Sequence, residues 1–344
     1  MKAVVLTGIR QMELMDVPEP KIEKDTDVML KIEMVGVCGS DVHYYETGRI
    51  GSQVVEYPFI VGHECAATVA EVGKSVTNVK VGDAVVVDPA VSCHNCYQCR
   101  MGRENTCYNL RFLGTPGQGG GCLCEYIVMS QECCYQTRDA LNFEQAVLCE
   151  PLSIAAYSVD RAKVSKNTNV AILGAGPIGL CTFVSAKAKD VNTCYMTEKI
   201  PERVDAAKKA GATWVGNPDK QDIVKEILDQ QPDGLDFVFE CAGQQETVDQ
   251  GLDLLTAGGT LVLTGIPRFD RFSLAVDKMR RKEITIVNIR RQNKFTQKAV
   301  DLIASGRVNV DFMVTHHFPL EETQKAFDLV ADYRDGVIKA MIRI

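Results

Sequence analysis

The segment Gly-Ala-Gly-Pro-Ile-Gly at residues 174–179 lies between an apolar run and a helix-like run. A G-x-G-x-x-G loop at a strand-to-helix junction is the fingerprint of a dinucleotide-binding unit. Gly174 permits the tight turn, Gly176 lets the backbone approach a pyrophosphate, and Gly179 allows close packing of helix against strand. The free N–H groups and positive end of the helix favour the same anion. The predicted loop site also includes Pro177 and Ile178.

Strand-like and helix-like segments alternate from about residue 169 to about residue 288. Alternation of this kind predicts a parallel sheet with helices on both faces, here a doubly wound Rossmann sheet. The predicted strands are residues 170–173, 193–197, 237–239, 260–263 and 284–287, and the predicted helices include residues 178–187 and 201–210.

The first 150 residues or so have a different pattern, in which short apolar runs alternate with Gly, Asp and Pro turns. Such a run of strands with few helices predicts a β-rich, partly closed barrel. A bridging helix is predicted to begin at Pro151. The elements predicted after residue 294 are a helix at 295–305, a strand at 313–314, a helix at 320–331 and a strand at 338–342.

At 344 residues the chain suits two domains. We expect the elements after residue 294 to rejoin the β-rich part, which makes the first domain discontinuous. The sequence therefore predicts a two-domain α/β protein, with residues 1–152 and 291–344 in the first domain and residues 153–290 in the second.

Glu198 follows the second strand of the alternating region, 19 residues after Gly179. A carboxylate at this place accepts hydrogen bonds from ribose hydroxyls and repels a 2′-phosphate, which favours NAD over NADP. Lys199 and Arg203 lie nearby and weaken that preference, and Arg203 is a candidate contact of the adenosine end. The alternative is a glycine turn that only packs, with Glu198 as a solvated strand end.

Four cysteines have the spacing C-x2-C-x2-C-x7-C, namely Cys93, Cys96, Cys99 and Cys107. Four thiolates on a short loop suit a closed tetrahedral zinc site that takes the place of a hydrophobic core in a surface lobe. A closed shell leaves no position for a substrate, so the pattern indicates structural zinc. Unrelated free thiols and an iron–sulfur cluster are the alternatives.

The formal net charge of −7 argues against a nucleic-acid zinc ribbon and against an anionic membrane surface, because both need basic patches. No apolar stretch is long enough to span a bilayer, and the N-terminus lacks a signal-peptide pattern. Fourteen cysteines are better explained as ligands and buried side chains in a reducing compartment than as disulfides. We therefore expect a cytoplasmic protein.

A reactive metal site is indicated by Cys38, by the dipeptide His63-Glu64 and by Glu150. A catalytic zinc keeps three protein ligands and one exchangeable position. On pattern alone, other cysteines are as plausible as Cys38, and these are Cys122, Cys124, Cys149 and Cys241. The residues by themselves therefore leave this ligand set open.

Several stretches together resemble the zinc-containing medium-chain alcohol dehydrogenases over essentially the whole chain. They are residues 36–44, 62–64 and 82–85, the four-cysteine cluster and residues 174–179. Within that superfamily, the chain is similar to the polyol branch, which contains the sorbitol (L-iditol) and xylitol dehydrogenases, at residues 38–44, Glu46 and residues 48–51, 150–153, 315–316 and 318–320. The resemblance implies a GroES-like catalytic domain joined to a Rossmann domain, and a homotetramer.

The resemblance also implies roles for individual residues. Cys38, His63 and Glu64 would bind a catalytic zinc, and Glu150 would complete the sphere directly or through a water. Ser40 and Glu150 are candidates for passing a proton outward, while Asp41 and His43 would support them. The implied substrate-binding residues are Tyr44, Phe112, Thr115, Glu150 and Arg290. The implied NAD contacts beyond the glycine loop are Glu198, Lys199, Arg203, Ala242, Gly243, Thr264, Gly265, Ile266, Asn288, Ile289 and Arg290.

The implied reaction is the reversible oxidation of a secondary hydroxyl of a sugar alcohol, in which zinc acidifies the hydroxyl and nicotinamide takes the hydride. Arg291 stands where polyol enzymes usually have a tyrosine, and its guanidinium is a further candidate substrate contact, since it can bind a carboxylate. A hexonate or threonine-type dehydrogenase is therefore an alternative. A zinc-stabilised NAD sensor is the alternative outside enzymes, and the joint presence of Cys38, His63, Glu64 and Glu150 argues against it.

Overall fold

The computed structural model describes residues 1–137 and 140–344. The chain divides into two compact units. Unit 1 contains Met1–Glu150, Thr296–Gly306 and Val314–Ile344, and unit 2 contains Pro151–Phe295 and Arg307–Met313. Within the described residues, no helix combines the length and the apolar character needed to cross a lipid bilayer.

The amino-terminal part of unit 1 is mostly β-structure. Its elements are β1 (Lys2–Gly8), β2 (Gln11–Asp16), β3 (Asp27–Gly36), α1 (Gly39–Thr47), β4 (Arg49–Ile50), β5 (Gln53–Val54), β6 (Glu64–Val72), β7 (Ala84–Val87), β8 (Ala90–Val91), α2 (Tyr97–Arg100), β9 (Arg111–Phe112), β10 (Tyr126–Ser130), β11 (Cys134–Gln136) and α3 (Phe143–Arg161). Helix α3 continues past Glu150 into unit 2.

The middle of the chain alternates strands and helices, as the sequence predicts. The elements are β12 (Asn169–Leu173), α4 (Pro177–Lys187), β13 (Thr193–Thr197), α5 (Pro201–Lys209), β14 (Trp214–Gly216), α6 (Ile223–Gln230), β15 (Leu235–Glu240), α7 (Gln245–Leu254), β16 (Leu255–Leu263), α8 (Val276–Lys282) and β17 (Thr285–Asn288). They are followed by α9 (Thr296–Ala304), β18 (Val314–Pro319), α10 (Thr323–Ala331) and β19 (Lys339–Arg343).

The main sheet of unit 1 has seven strands in the order β11-β7-β6-β3-β19-β18, with β10 also paired to β3. Strand β3 is central because it pairs antiparallel with β6, β10 and β19. Its residues are largely buried, with Val28, Leu30 and Ile32 in the unit 1 core. The pairing of Gly36 with Glu64 and with Met341 brings three distant parts of the chain together.

Unit 2 is built around six parallel strands in the order β14-β13-β12-β15-β16-β17. This is the 3-2-1-4-5-6 order of a Rossmann sheet, and the strand order reverses between β12 and β15. Ligands of such sheets bind outside the carboxyl ends of the strands at that reversal. The predicted fold class, a β-rich domain with a Rossmann sheet, is confirmed.

Four elements differ from the sequence prediction. The bridging helix α3 begins at Phe143 rather than at Pro151, so Pro151 lies inside the helix instead of at its start. Helix α1 was not predicted, and strand β14 was missed because it has only three residues. The strand predicted at 313–314 extends from Val314 to Pro319.

A short segment after α9 belongs to unit 2 rather than to the carboxyl-terminal part of unit 1. Arg307 donates to the carbonyl of Ala188 and pairs with Asp190, and the sulfur atoms of Cys181 and Met313 lie 3.7 Å apart. The chain therefore enters unit 2 twice.

Candidate functional site

Three potential metal ligands meet at one end of the β3–β6 pair. Cys38 directly precedes α1, while His63 directly precedes β6 and Glu64 is its first residue. One ligand atom from each residue lies within 4.8 Å of the others. Thiolate, imidazole and carboxylate are all zinc ligands, and three of them leave one coordination position open. The residues present therefore fit a catalytic zinc.

Hydrogen bonds orient two of these side chains. Asp41 Oδ1 lies 3.1 Å from His63 Nδ1 and also accepts from the amide of Gly62 at 3.3 Å. A carboxylate on Nδ1 fixes the imidazole ring and leaves Nε2 for a metal. Ser40 Oγ donates to Cys38 Sγ at 3.3 Å. Asp41 thus orients the His63 ring.

The charges of the cluster depend strongly on one another. Burial and the neighbouring Glu64 raise the pKa of Cys38 above its usual value. Burial opposes an imidazolium, but Asp41 and Cys38 outweigh it and raise the pKa of His63 well above its usual range. A metal needs the thiolate and the neutral imidazole, so metal binding at this cluster releases protons.

Lys339 was not identified from the sequence. Its Nζ lies 2.5 Å from Glu64 Oε2 and 3.2 Å from the carbonyl oxygen of Val37, and its side chain is 1% exposed. The backbone of Gly36 leaves room for this pair, because a Cβ there would lie 2.6 Å from Glu64 Oε2. The available signal was a lysine inside the otherwise apolar final strand. Lys339 holds one oxygen of Glu64 and leaves the other for a metal.

Glu150 lies in α3 and is 4% exposed. It is not part of the three-residue cluster. The charges of His63, Glu64, Asp88 and Lys339 nevertheless affect its pKa. Burial raises the pKa of Glu150 to about 8, against the opposing attraction of His63. A carboxyl group that titrates near neutral pH is suited to proton transfer.

This shift predicts a pH-dependent stability for protein stripped of metal with a chelator. Because the folded pKa of Glu150 is about 8 and the ordinary value is 4.5, the native state holds the extra proton between those values. Stability should therefore fall as pH rises through that window. Glu150→Gln should match the wild type near pH 5 and exceed it by a few kcal/mol near pH 9. Urea unfolding at both pH values measures this difference, and a pH-independent difference would contradict it.

The predicted substrate residues of unit 1 surround the cluster in part. The Phe112 ring packs on the His63 ring with centroids 5.4 Å apart, and Thr115 is buried, with its amide donating to the Phe112 carbonyl. Tyr44 is buried in α1, and its hydroxyl donates to Gln53 at 3.2 Å. Gln53 lies in the short β4–β5 hairpin and was not identified from the sequence.

The predicted substrate residues of unit 2 follow β17. Arg290 is exposed and Arg291 is half-buried. Arg291 has a φ of 53°, which is unusual for a residue other than glycine and marks a turn of fixed shape.

The four-cysteine cluster forms a second site between β8 and β9. The sulfur atoms are 3.5 Å apart for Cys96 and Cys99, 3.9 Å for Cys96 and Cys107, and 3.4 Å for Cys93 and Cys107. Tetrahedral zinc with bonds of about 2.3 Å needs sulfur separations of about 3.8 Å. A hydrogen bond from the amide of Asn95 is the main cause that lowers the pKa of Cys93 to about 6. The four thiols therefore fit a closed zinc site.

The glycine loop of unit 2 has the space a dinucleotide requires. A Cβ at Gly179 would lie 1.9 Å from the carbonyl oxygen of Gly174, so only glycine lets α4 pack on the strand end. A Cβ at Gly176 would meet only Arg203 Nη1, at 3.6 Å, among the described residues. Gly176 therefore presents an open backbone face. Pro177 and Ile178 begin α4, where proline needs no N–H partner.

Glu198 lies beside this loop. Its Oε2 accepts from the amide of Ala175 at 3.0 Å, and its Oε1 accepts from the amides of Lys199 and Ile200. Lys199 points to Asp219, with which it pairs at 2.6 Å. Arg203 is buried in α5. Of the two nearby cations, Lys199 is thus engaged elsewhere and Arg203 faces the loop.

The remaining predicted cofactor residues follow the strands on the other side of the reversal. Ala242 and Gly243 follow β15, Thr264 to Ile266 follow β16, and Asn288 ends β17, followed by Ile289 and Arg290. A Cβ at Gly174 would lie 3.3 Å from the amide nitrogen of Ala242, so the turn after β15 adjoins the glycine loop. The sheet thus brings the predicted turns to one edge.

Comparisons with known proteins agree with both units. Residues 24–139 match the family profile described as the alcohol dehydrogenase GroES-like domain, and residues 177–305 match that of the zinc-binding dehydrogenases.

Curated relatives match over nearly the whole chain. The sorbitol dehydrogenase of Bacillus subtilis is 39% identical and covers 99% of this chain and 97% of the relative. The D-xylulose reductase A of Aspergillus niger is 33% identical, with 95% and 91% covered. The L-idonate 5-dehydrogenase of Vitis vinifera is 32% identical, with 99% and 94% covered.

Solved structures give the same result. A zinc-binding dehydrogenase from Sinorhizobium meliloti bound to NADP has a TM-score of 0.90 and 30% identity. A structure described as a short chain alcohol dehydrogenase from Escherichia coli complexed with NADH has a TM-score of 0.90 and 26% identity. Each alignment covers 100% of this chain and 99% of the other. With both family profiles and full-length relatives in agreement, the chain is an oxidoreductase of the zinc-containing medium-chain alcohol dehydrogenase superfamily and belongs to its polyol branch.

Proposed function

We propose that this protein oxidises a secondary hydroxyl of a sugar alcohol to a ketone, with zinc and NAD as cofactors. The observation that carries the proposal is the clustering of Cys38, His63 and Glu64 in unit 1. The same chain has a glycine loop with space for a dinucleotide in unit 2. The sorbitol dehydrogenase and D-xylulose reductase relatives support a polyol as the substrate class.

Zinc held by Cys38, His63 and Glu64 would acidify the substrate hydroxyl, and NAD held at the glycine loop would accept the hydride. Asp41 keeps His63 Nδ1 engaged, which leaves Nε2 as the nitrogen that would bind the metal. Ser40 and Glu150 are the proposed proton carriers. Phe112 and Thr115 would shape the substrate side of the cluster, while Tyr44 would be held by Gln53.

We infer that NAD is preferred over NADP, because the Glu198 carboxylate lies where a 2′-phosphate would be repelled. Related structures hold either NADP or NADH, so the preference is a property to be measured on this chain. Kinetics with the two cofactors at equal concentration test it. Equal kcat/KM for NAD and NADP would contradict the role of Glu198.

A sugar acid is the second candidate substrate. Arg291 supports it, since a guanidinium binds a carboxylate through two parallel hydrogen bonds. The L-idonate 5-dehydrogenase relative adds to that support. Arg291→Tyr should then lower kcat/KM for a hexonate and leave that for a polyol nearly unchanged.

The test is steady-state NAD reduction at 340 nm with sorbitol, xylitol, galactitol, hexonates and threonine. Turnover of a polyol that is lost on chelation and restored by zinc would support the proposal. NADH binding without turnover of any of these compounds would instead favour a sensor, and the highest kcat/KM with threonine or a hexonate would favour the rival enzymes.

We further propose a homotetramer in the cytoplasm. All fourteen cysteines are free thiols, which suits a reducing compartment. The tetramer follows from the resemblance to polyol dehydrogenases, and the mass measured by light scattering tests it.

A further inference from the structure

The carboxylate of Glu240 is buried at the end of β15, next to the strand-order reversal of unit 2. Glu240 is 0% exposed and pairs in register with Leu173 of β12 and Leu263 of β16. Glu240 belongs to unit 2, whereas the three-residue cluster and the four-cysteine cluster belong to unit 1. A carboxylate this deep needs hydrogen-bond partners, and those partners indicate its role.

One oxygen of Glu240 accepts three hydrogen bonds, two from the turn that follows and one from α7. Oε1 accepts from the amides of Ala242 at 2.8 Å and Gly243 at 2.7 Å, and from Thr247 Oγ1 at 2.8 Å. The backbone amides of two consecutive residues are thus fixed by one side chain. Because a carboxylate makes stronger hydrogen bonds than a neutral acceptor, the turn is held firmly.

The same residue shapes the turn after β16. Its carbonyl oxygen accepts from the amides of Thr264 and Gly265, and a Cβ at Gly265 would lie 2.6 Å from Glu240 Oε2 and 2.5 Å from the amide nitrogen of Gly243. Among the described residues, Oε2 has no hydrogen-bond partner. The side chain thus occupies the space between the two turns and leaves one oxygen beside Gly265.

Both turns lie at the edge of the sheet that carries the glycine loop. The turn after β15 contacts Gly174 through Ala242, and the amide of Cys241 donates to the carbonyl of Leu173, which ends β12. The carboxyl ends of parallel strands at an order reversal are where a dinucleotide lies. A shift of these turns would therefore change the shape of the surface on which the cofactor lies.

We propose that Glu240 is a positioning residue for the nicotinamide cofactor, acting through the amides of Ala242 and Gly243 and the close approach of Gly265. The inference rests on the proposed NAD-linked function and adds a residue that the sequence motifs do not include. It gives Glu240 no contact with substrate and no part in the chemical step.

The test is Glu240→Gln, which keeps the side-chain volume and replaces the carboxylate by an amide. Titration of the zinc-loaded protein with NADH, followed by NADH fluorescence, should show a Kd raised about tenfold, because charge-assisted hydrogen bonds become neutral ones. At saturating NAD, kcat should stay within about twofold. The substitution weakens cofactor binding equally in the ground state and the transition state, so the chemical step keeps its rate. An unchanged Kd would overturn the proposal.

Asp236→Asn is the matched control. Asp236 lies near the other end of the same strand, and its carboxylate accepts from the amide of Asn169 at 2.7 Å. The chemical change is the same, but the NADH Kd should not move. An equal rise in Kd for Asp236→Asn would overturn the proposal by showing a general effect of loosening β15.

Thr247→Val is a second test variant, and its result does not depend on whether Glu240→Gln folds. It removes one of the three donors to Oε1 and should raise the NADH Kd by a smaller factor, about threefold. No change in Kd would count against the proposal. Wild-type protein that fails to bind NADH would instead contradict the proposed function, so the two failures can be told apart.

Discussion

Cys38→Ser is expected to lower kcat/KM for the polyol at least about 1000-fold, because loss of the catalytic zinc removes the acidification of the substrate hydroxyl. Elemental analysis should show one zinc per chain instead of two. The NADH Kd should stay near the wild-type value, since the glycine loop lies in unit 2. The three measurements together separate loss of the metal from loss of the fold.

Cys124→Ser is the matched control for that experiment. Cys124 is buried at 2% exposure, and its thiol donates to the carbonyl of Tyr126 at 3.3 Å, a bond that a serine hydroxyl can keep. By sequence pattern alone Cys124 was as good a ligand as Cys38. Two zinc ions per chain and near-normal kcat/KM are expected, and the reverse outcome for the two variants would show that the ligand set is wrong.

Cys99→Ser is expected to have the largest effect on stability. Structural zinc in small Cys sites contributes about 10–16 kcal/mol of apparent binding free energy. Among the described residues between β8 and β9, the buried apolar side chains are Cys99 and Cys107 themselves, so the lobe depends on the metal. A loss of about 5 kcal/mol would lower Tm by roughly 10–20 °C for a unit of this size. Calorimetry and zinc content measure the change.

Cys133→Ser serves as the control for the lobe. Cys133 is 1% exposed and donates to the carbonyl of Ala90 at 3.6 Å, close to the lobe but outside the four thiols. Its Tm should change by only a few degrees, and both zinc ions should remain. If Cys99→Ser kept its zinc and its Tm, the four-cysteine cluster would not be a structural metal site.

Much of unit 2 could be predicted from local sequence. The strand predicted at 193–197 is β13 with the same bounds, and the first strand differs by one residue at its start. Buried parallel strands are continuous apolar runs, and Gly174 and Pro201 mark the turns between them. Local signals suffice where each element is delimited by its own residues.

Other elements depend on distant contacts. Helix α1 has Asp41 and Tyr44 among its buried residues and no clear apolar stripe, so its sequence does not show helical periodicity. Pro151 usually marks a helix start, but in α3 the preceding residues Ala146 to Cys149 are fully buried, and this burial outweighs the usual cost of an internal proline.

The candidate metal site shows the same limit. Spacing identified the four-cysteine cluster because its ligands are neighbours in sequence. Cys38 could be chosen only through family resemblance, and Lys339 and Glu240 were not recognised at all. The positions of Lys339 and Glu240 depend on strands that pair across long stretches of chain, such as β3 with β19. Single-sequence patterns contain no record of such pairings.

The pairing of β19 with β3 also has a consequence for biosynthesis. Glu64 and Lys339 are separated by 275 residues, and all of unit 2 is translated between them. At ordinary translation speeds of about 5–20 residues per second, a nascent chain carries Glu64 for roughly 14–55 s before its cationic partner exists. The Rossmann sheet can close on the ribosome during that interval, while the metal-binding half must wait for the last strand to emerge.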